Sequence, residues 1–556
     1  MSTLAPPTPS NPRWLFGPVS DLLFGCGIAY MGIFALMTVA AEQVEATVPI
    51  SSFLLITLVI AAPHYGATLL RVYESREDRR AYTLFTIWIT AGLIGIFVTS
   101  LYSPVLGSLW FTLYMTWSPW HYSGQNYGLV VLFLRRRGVT IEPRAKQLLY
   151  ASFILSYAIV FVAFHTGVSS TGYGPALPQG DSYVFVPIGI PLYMANALYA
   201  GLGGLYLLTT AGTLFLLARG SNLRDLGPAL VLIASQALWF AIPGLARASG
   251  TLQGIAPLSN LTAPYIGLWI AIAHCVQYLW VTTYYAARDE NHVGRTRYLT
   301  KALLAGSAAW GVPALLFSPG LLGNVPYNMG LFMMVAATVN LHHFILDGAI
   351  WKLRDPRLAK ILLRSDDSAG PRLDRGGSSF VRPLFWATGF VCLVIFVVGD
   401  LEAQYGVTRA GERGDAARIE KATRRLARIG RDSPKLHHQL ALLAQRDGDL
   451  VHAETEFKAA LEVYETKNVW HNLGTMYLSQ RRFDEALHAF DEALALDPSL
   501  AQTRVHASTA ALSLGQRELA LDHLKAAARL APNDRGLRRR IVELGGEPSP
   551  PGQTLP

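Results

Sequence analysis

The sequence is poor in charge and in cysteine. Charged residues make up 15% of its 556 residues, against roughly 25% in ordinary soluble domains, while 51% are hydrophobic. This composition excludes an intrinsically disordered chain and argues against a purely soluble protein. The three cysteines, Cys26, Cys275 and Cys392, all lie within apolar runs, so no disulfide framework is indicated.

The net charge of +9 belongs to the apolar part of the chain. Before Asp400 there are 25 Lys and Arg against 16 Asp and Glu, whereas from Asp400 onward there are 22 of each. Because short basic loops are typical of the cytoplasmic face of membrane proteins, the excess indicates membrane topology and no nucleic-acid partner. Most basic residues of the apolar part lie in five segments: 71–80, 135–146, 219–224, 288–301 and 352–382.

Apolar runs of about 20 residues, long enough to cross a bilayer, occur eleven times. They begin near Val19, Val48, Tyr82, Val105, Gln147, Leu192, Leu226, Pro264, Leu299, Val325 and Pro383. The basic segments follow every second run, so the positive-inside rule predicts these loops in the cytoplasm. We expect both chain ends outside the cytoplasm. We therefore expect an all-α, multi-pass inner-membrane bundle at 19–400, after a Pro-rich tail at 1–18 that lacks the basic region of a signal peptide.

The sequence after the last run is charged, Ala-rich and repeats with a period of 34. The central repeat resembles the tetratricopeptide repeat family at all of its signature positions: Trp470, Leu473, Gly474, Tyr477, Ala486, Phe490, Ala493 and Pro498. We expect a linker and degenerate half repeat at 401–433, three repeats at 434–534, and a capping helix and tail at 535–556. The resemblance implies a periplasmic, protein-binding helical solenoid, and a spacer or oligomerisation module is the alternative.

Histidines occur inside four of the predicted spans, where an ionisable residue is costly and points to function. They are His64, His121, His274 and the pair His342–His343. Each has polar companions three, four or seven positions away on the same helix face: Thr68 and Arg71, Ser118 and Gln125, Gln277 and Tyr278, and Asn340 and Asp347, respectively. We expect the four helices to share a polar interior.

Several neutral imidazoles that converge suit a divalent first-row metal. The predicted ligands are His64, His121, His274 and His343. Asp347, one turn beyond His343, is predicted as a further ligand or as the partner that orients an imidazole. His342 points about 100° away on its helix, so His343 is the better ligand. A hydrogen-bonded interior without metal is the alternative.

The histidine segments 63–67, 120–124, 274–278 and 341–344 resemble, in order, those of the Brp/Blh family. The resemblance implies an integral-membrane enzyme that uses iron and O₂ to cleave β-carotene to retinal. The sequence departs from the family pattern, because Thr68-Leu69 stands where an Asp-His is expected and the third segment has no second histidine. Carotenoid cleavage itself is therefore not transferred to this chain.

The leading hypothesis is an iron- and O₂-dependent oxidoreductase, with non-haem iron acting on a lipophilic substrate that enters from the bilayer. Arg71, Gln125 and Tyr278 are predicted to position substrate or oxygen. One alternative is a non-catalytic assembly scaffold or transporter, whose repeats recruit a protein partner. The other is a haem protein with His121 and His274 as axial ligands, since both lie at similar depth.

Overall fold

The computed structural model describes residues 13–48, 53–74, 80–166, 183–249, 258, 263–288, 294–319, 321–351, 361–363 and 381–547. Regular structure in these ranges is helical, and the only β-contacts described are two isolated bridges, Thr166–Ile190 and Pro319–Gly323. The predicted all-α fold class is confirmed. The chain divides near residue 398 into two compact units, with the loop Phe317–Asn328 belonging to the second.

Long helices are present at all eleven predicted apolar runs. They are α1 Ile28–Thr47, α2 Phe53–Tyr73, α3 Leu84–Leu101, α4 Pro104–Arg136, α5 Pro143–His165, α6 Leu192–Gly220, α7 Leu223–Ala246, α8 Ala263–Arg288, α9 Arg295–Leu316, α10 Leu331–Ile350 and α11 Val381–Leu401. Within the described ranges, nine helices are long and apolar enough to cross a membrane. Helix α4, which carries His121, is not among them.

Helices α2 and α9 approach each other so closely that their backbones touch. A Cβ atom added to Gly66 would lie 1.8 Å from the carbonyl oxygen of Ala302, and one added to Gly306 would lie 1.7 Å from that of Ala62. Small residues at such a crossing are the usual way in which membrane helices pack tightly. This contact fixes the position of α2 in the bundle.

The segment before α1 packs against residues of the basic loops. The carbonyl of Trp14 accepts a hydrogen bond from Arg136 at 2.7 Å, and the guanidinium of Arg137 lies over the Trp14 ring at 4.1 Å. Arg295, at the start of α9, lies over the ring of Phe16 at 4.9 Å. Residues 14–16 and these arginines therefore lie at the same end of the bundle.

The second unit is a series of paired helices. They are α12 Ala416–Arg428, α13 Pro434–Arg446, α14 Leu450–Val463, α15 Lys467–Ser479, α16 Phe483–Leu496, α17 Ala501–Ser513, α18 Arg517–Leu530 and α19 Arg535–Glu543. Alanines and one large apolar residue fill the space between paired helices, and Phe457, Phe490 and Leu524 are fully buried. Gly474 lets α15 approach α16, because a Cβ there would lie 2.7 Å from the Phe490 ring.

The stretch expected as a linker is helical and packed. Residues Glu402–Thr408 continue α11 as a π-type turn, and α12 follows. The Glu402 carboxylate pairs with Arg418 at 3.2 Å and with Arg425, and buried Asp400 pairs with Arg431 at 2.6 Å. These ion pairs attach the segment to the first repeat helices.

Candidate metal centre

The four predicted histidines lie on four different helices, and the structure brings them together. His64, His274 and His343 are buried on α2, α8 and α10, and the side chain of His121 on α4 is 10% exposed. Pro63 and Pro119 lie inside α2 and α4, just before His64 and His121. Since proline lacks an amide hydrogen, each helix lacks one backbone hydrogen bond beside its histidine.

The imidazole rings pack directly against one another. Ring centroids are 4.2 Å apart for His64 and His343, 5.0 Å for His64 and His274, and 5.0 Å for His121 and His274. His121 and His343 are 4.9 Å apart. Four uncharged rings at these distances, all buried in an apolar bundle, form one cluster.

The ring nitrogens and one carboxylate form two overlapping ligand groups that share His343. One group is His64, His274 and His343, and the other is His121, His343 and Asp347, with ligand atoms within 4.8 Å of one another in each. Within the described residues, Nε2 of His64, His121 and His343 and both ring nitrogens of His274 lack a hydrogen-bond partner. Buried polar atoms are normally satisfied, so nitrogens left free and close together suit a cation.

A hydrogen-bond chain fixes the orientation of His343 and Asp347. The hydroxyl of Thr68 lies 2.8 Å from Nδ1 of His343 and 2.6 Å from the hydroxyl of Tyr278. Tyr278 donates to Oδ1 of Asp347 at 2.8 Å, and Trp351 Nε1 donates to the Tyr278 oxygen at 3.0 Å. If Nδ1 of His343 carries the hydrogen, Nε2 is left as a ligand atom, which is how partners of metal-bound histidines usually act.

Asp347 presents its second oxygen to the histidine cluster. Oδ2 lies 3.4 Å from Nε2 of His343 and 3.9 Å from Nε2 of His121, while Oδ1 accepts the hydrogen bond from Tyr278. The carboxylate is thus arranged to bind a cation through one oxygen only. This arrangement fits both predicted roles of Asp347.

Two aromatic rings cover the outer faces of the cluster. Phe344 stacks on His121 with centroids 4.3 Å apart, and Tyr122 stacks on His274 at 4.1 Å. Trp117 contacts Phe344 in turn, at 6.4 Å. The aromatic residues around His121 therefore wall the cluster, and the stacking holds two imidazoles in place.

The three residues predicted to position substrate lie in different settings. Tyr278 packs on His64 and His343, with centroids 4.7 and 5.2 Å away. Gln125 donates to the carbonyl of His274 at 3.1 Å, so it holds the backbone of α8. The guanidinium of Arg71 lies 5.1 Å above the ring of Tyr285.

Two other buried histidines are held by hydrogen bonds of their own. His342 contacts the hydroxyl of Tyr65 through Nδ1 at 2.5 Å and that of Thr90 through Nε2 at 2.8 Å. His165 contacts Thr116 through Nε2 at 3.1 Å and accepts from an α5–α6 loop amide through Nδ1. Both rings have their nitrogens engaged, so they differ from the clustered rings.

The sequence did not indicate the roles of Thr68, Phe344 or Trp351. Thr68 carried a weak signal, because it lies one turn after His64 on the same face. Phe344 directly follows His343, and Trp351 lies four residues after Asp347, but nothing in the spacing shows that either ring turns toward the cluster.

The cluster geometry does not suit two axial haem ligands. A porphyrin would have to lie between His121 and His274, whose ring centroids are only 5.0 Å apart. Both rings also contact His343 or His64. These contacts fill the space that a macrocycle would need.

Histidines of the helical repeats are mostly partly buried. His437 bonds to Glu456 through Nδ1 at 2.7 Å and to Asp432 through Nε2 at 3.1 Å. Burial lowers the pKa of His437, but the two carboxylates outweigh burial and raise it to about 9. His437 is therefore cationic at neutral pH and has a structural role.

Comparisons with known proteins identify one part of the chain. The tetratricopeptide repeat family matches residues 468–500. A solved structure titled "Crystal structure of APC/C hetero-tetramer Cut9-Hcn1" is 14% identical over 94% of this chain and 99% of that one, with a TM-score of 0.22, too low to bear on the fold. The curated proteins give no match, and none of these comparisons supports the Brp/Blh resemblance. The chain therefore contains a tetratricopeptide repeat within its second unit, a module whose stacked helices bind proteins.

Proposed function

We propose that the helical bundle is a membrane domain that binds one non-haem iron ion, and that it acts as an O₂-dependent oxidoreductase on a lipophilic substrate. The ligands are His64, His121, His274 and His343, with Asp347 as a fifth. The observation that carries the proposal is the convergence of free ring nitrogens from four helices beside one carboxylate oxygen.

The distances support a single ion. Metal–nitrogen bonds of about 2.0–2.1 Å place neighbouring ligand nitrogens about 3–3.5 Å apart, which the 4.8 Å limit of both groups accommodates with small side-chain movements. The groups share His343, whose Nδ1 faces Thr68. Because His343 has one ring nitrogen facing the cluster, it can bind one ion, and the two groups that share it form a single site.

The donor set and its surroundings favour iron chemistry. Imidazole with carboxylate is a typical donor set for non-haem Fe(II), and bound iron supplies the means to activate O₂. The chain supplies ligand geometry, through Thr68 and Tyr278, and an apolar wall, through Phe344 and Tyr122. A wall of this kind suits a lipophilic molecule that arrives from the bilayer.

For the repeats we propose recruitment of a protein partner outside the cytoplasm. The family match supports protein binding. The side of the membrane follows from the basic loops, whose positive charge favours the cytoplasm, and from the one remaining span, α11, between the last of them and the repeats.

The test is elemental analysis of purified full-length protein beside His121→Ala and His343→Ala. We expect near-stoichiometric iron in the wild type, no Soret band, and a loss of most iron in both variants. His165→Ala is the matched control, because His165 is a buried histidine of the same bundle whose nitrogens are both engaged. It should keep its iron.

Three results would contradict the proposal. Metal-free wild-type protein that remains folded would favour the hydrogen-bonded scaffold or transporter. A Soret band would favour haem. Equal iron content in His121→Ala, His343→Ala and His165→Ala would show that iron binds elsewhere.

A further inference from the structure

Aromatic rings lead from the histidine cluster toward the end of the bundle that carries the basic loops. Tyr278 packs on His343 with centroids 5.2 Å apart, Trp351 follows at 6.0 Å, and Tyr285 lies 5.6 Å beyond Trp351. Tyr278 and Tyr285 are 2% and 4% exposed, whereas Trp351 is only partly buried. The series therefore runs from the buried cluster to a ring that solvent reaches.

The rings are also joined by hydrogen bonds. Trp351 Nε1 donates to the oxygen of Tyr278, and Tyr278 donates to Oδ1 of Asp347. Tyrosine and tryptophan are among the side chains that lose an electron most readily, and a tyrosine does so easily only when a base accepts its proton. Asp347 is that base, at 2.8 Å.

We propose that Tyr278 and Trp351 form an electron relay that connects the metal centre to the protein surface. This inference rests on the proposed function, because it needs a centre that O₂ has oxidised. Its role is to discharge that centre when no substrate is bound, so that the oxidising equivalent leaves the cluster before it damages the histidines.

The electron and proton movements balance. If the cluster held an oxidised metal ion, Tyr278 would give up one electron and pass its hydroxyl proton to Asp347. Trp351 would then give one electron to Tyr278, and Asp347 would return the proton. The net change would be the loss of one electron from the Trp351 indole, which a small thiol would restore while becoming half of a disulfide. Without a thiol, the indole would lose its N–H proton to solvent, and the ring radical would combine with O₂ as a peroxyl group.

A second tyrosine on the cluster lacks these features. Tyr122 stacks on His274 at 4.1 Å, but its other ring neighbours include His121 and Phe344, and phenylalanine is hard to oxidise. No described hydrogen bond joins Tyr122 to a carboxylate. Tyr122 is therefore a matched control for Tyr278, equally close to the histidines but outside the relay.

The experiment exposes iron-loaded full-length protein in detergent to O₂ without substrate or thiol. Frozen samples are examined for an organic radical by electron paramagnetic resonance, and oxygen added to each tryptophan is measured by peptide mass spectrometry. Yields are expressed per bound iron in the wild type, Tyr278→Phe, Trp351→Phe and Tyr122→Phe. Because zinc has no redox chemistry, zinc-loaded protein gives the yield of oxidation that does not depend on iron.

We expect oxygen to be added mainly at Trp351, and Tyr278→Phe to lower that yield at least several-fold. Trp351→Phe should lose the indole radical and gain oxidation at the histidines. Tyr122→Phe keeps the stacked ring and removes only the hydroxyl, so the yield at Trp351 per bound iron should not change. Trp120 is 40% exposed. The relay is overturned if more oxygen is added at Trp120 than at Trp351, or if Tyr278→Phe leaves the yield at Trp351 unchanged. Failure of the wild type to bind iron instead overturns the proposed function.

Discussion

The hydroxyl of Thr68 lies 2.8 Å from Nδ1 of His343, across 275 positions of sequence. Because this contact engages Nδ1, Nε2 is the nitrogen that faces the cluster. We predict that Thr68→Val, which keeps the shape and removes the hydroxyl, weakens metal binding by roughly 10- to 100-fold. Competition with a chelator measures this.

Thr68→Ser is the control, since serine keeps the hydroxyl and should bind metal within a few-fold of the wild type. Equal weakening by serine and valine would mean that Thr68 acts through packing alone. No weakening by either would show that the His343 tautomer is set by other contacts.

The contact between α2 and α9 predicts a large effect from a single methyl group. Gly306→Ala forces a Cβ atom to within 1.7 Å of the Ala62 carbonyl unless the helices separate. Overpacking typically costs about 1–3 kcal/mol, and here it also displaces His64. The midpoint of thermal unfolding and the metal bound per protein should both be lower than in the wild type.

Gly92→Ala provides the comparison. Gly92 lies in α3, and an added Cβ would have no described neighbour within 4 Å. Its thermal midpoint should match the wild type. If Gly306→Ala behaves like Gly92→Ala, then the close approach of α2 and α9 is wrong.

The core between α15 and α16 should depend on the ring of one phenylalanine. Phe490 is fully buried, so Phe490→Ala should lower the free energy of unfolding of the second unit by about 3–5 kcal/mol. Leu496, in the same helix, is 48% exposed. Leu496→Ala should change little, and circular dichroism during denaturation distinguishes the two variants.

The stability of the second unit should depend on pH through His437. Its pKa rises from 6.5 to about 9 in the folded protein because of Asp432 and Glu456. A raised folded pKa adds stability that is complete below the unfolded value and is lost as pH rises through about 9. The wild-type unfolding midpoint should therefore decline between pH 6.5 and 9.

The His437→Ala variant should lack this part of the pH dependence and should be less stable than wild type at pH 6. His488 is exposed and lies 3.9 Å from its nearest carboxylate, so His488→Ala should keep the wild-type profile. Parallel profiles for wild type and His437→Ala would contradict the assignment.

The sequence predicted the histidine cluster for two reasons. The distance of a residue from the end of its span gives its depth, and the helical period gives the face of the helix on which it lies. His64, His121, His274 and His343 each lie on a polar stripe, and such stripes meet in a bundle interior. Thr68 and Trp351 could not be assigned in this way, because their partners lie on other helices and depend on the angles at which helices cross. The close approach at Gly66 is one source of those angles.

The expectation of both chain ends outside the cytoplasm conflicts with the expected eleven spans, because an odd number of spans puts the two ends of a chain on opposite sides. The error lay in the count of crossings, since the basic loops after the even-numbered spans already set the direction of the first span. The contacts of Trp14 and Phe16 with arginines far away in sequence could not be predicted, because they depend on how the helices pack. The stretch at 401–433, expected as a linker and degenerate half repeat, is charged in composition and packed by specific ion pairs.

The same contacts at the N terminus constrain the order in which the protein is assembled. Residues 14–16 are synthesised before Arg136 and Arg295, which they contact. Contacts between such distant positions form slowly and late. Residues 14–16 therefore reach their final place only after α9 has been made.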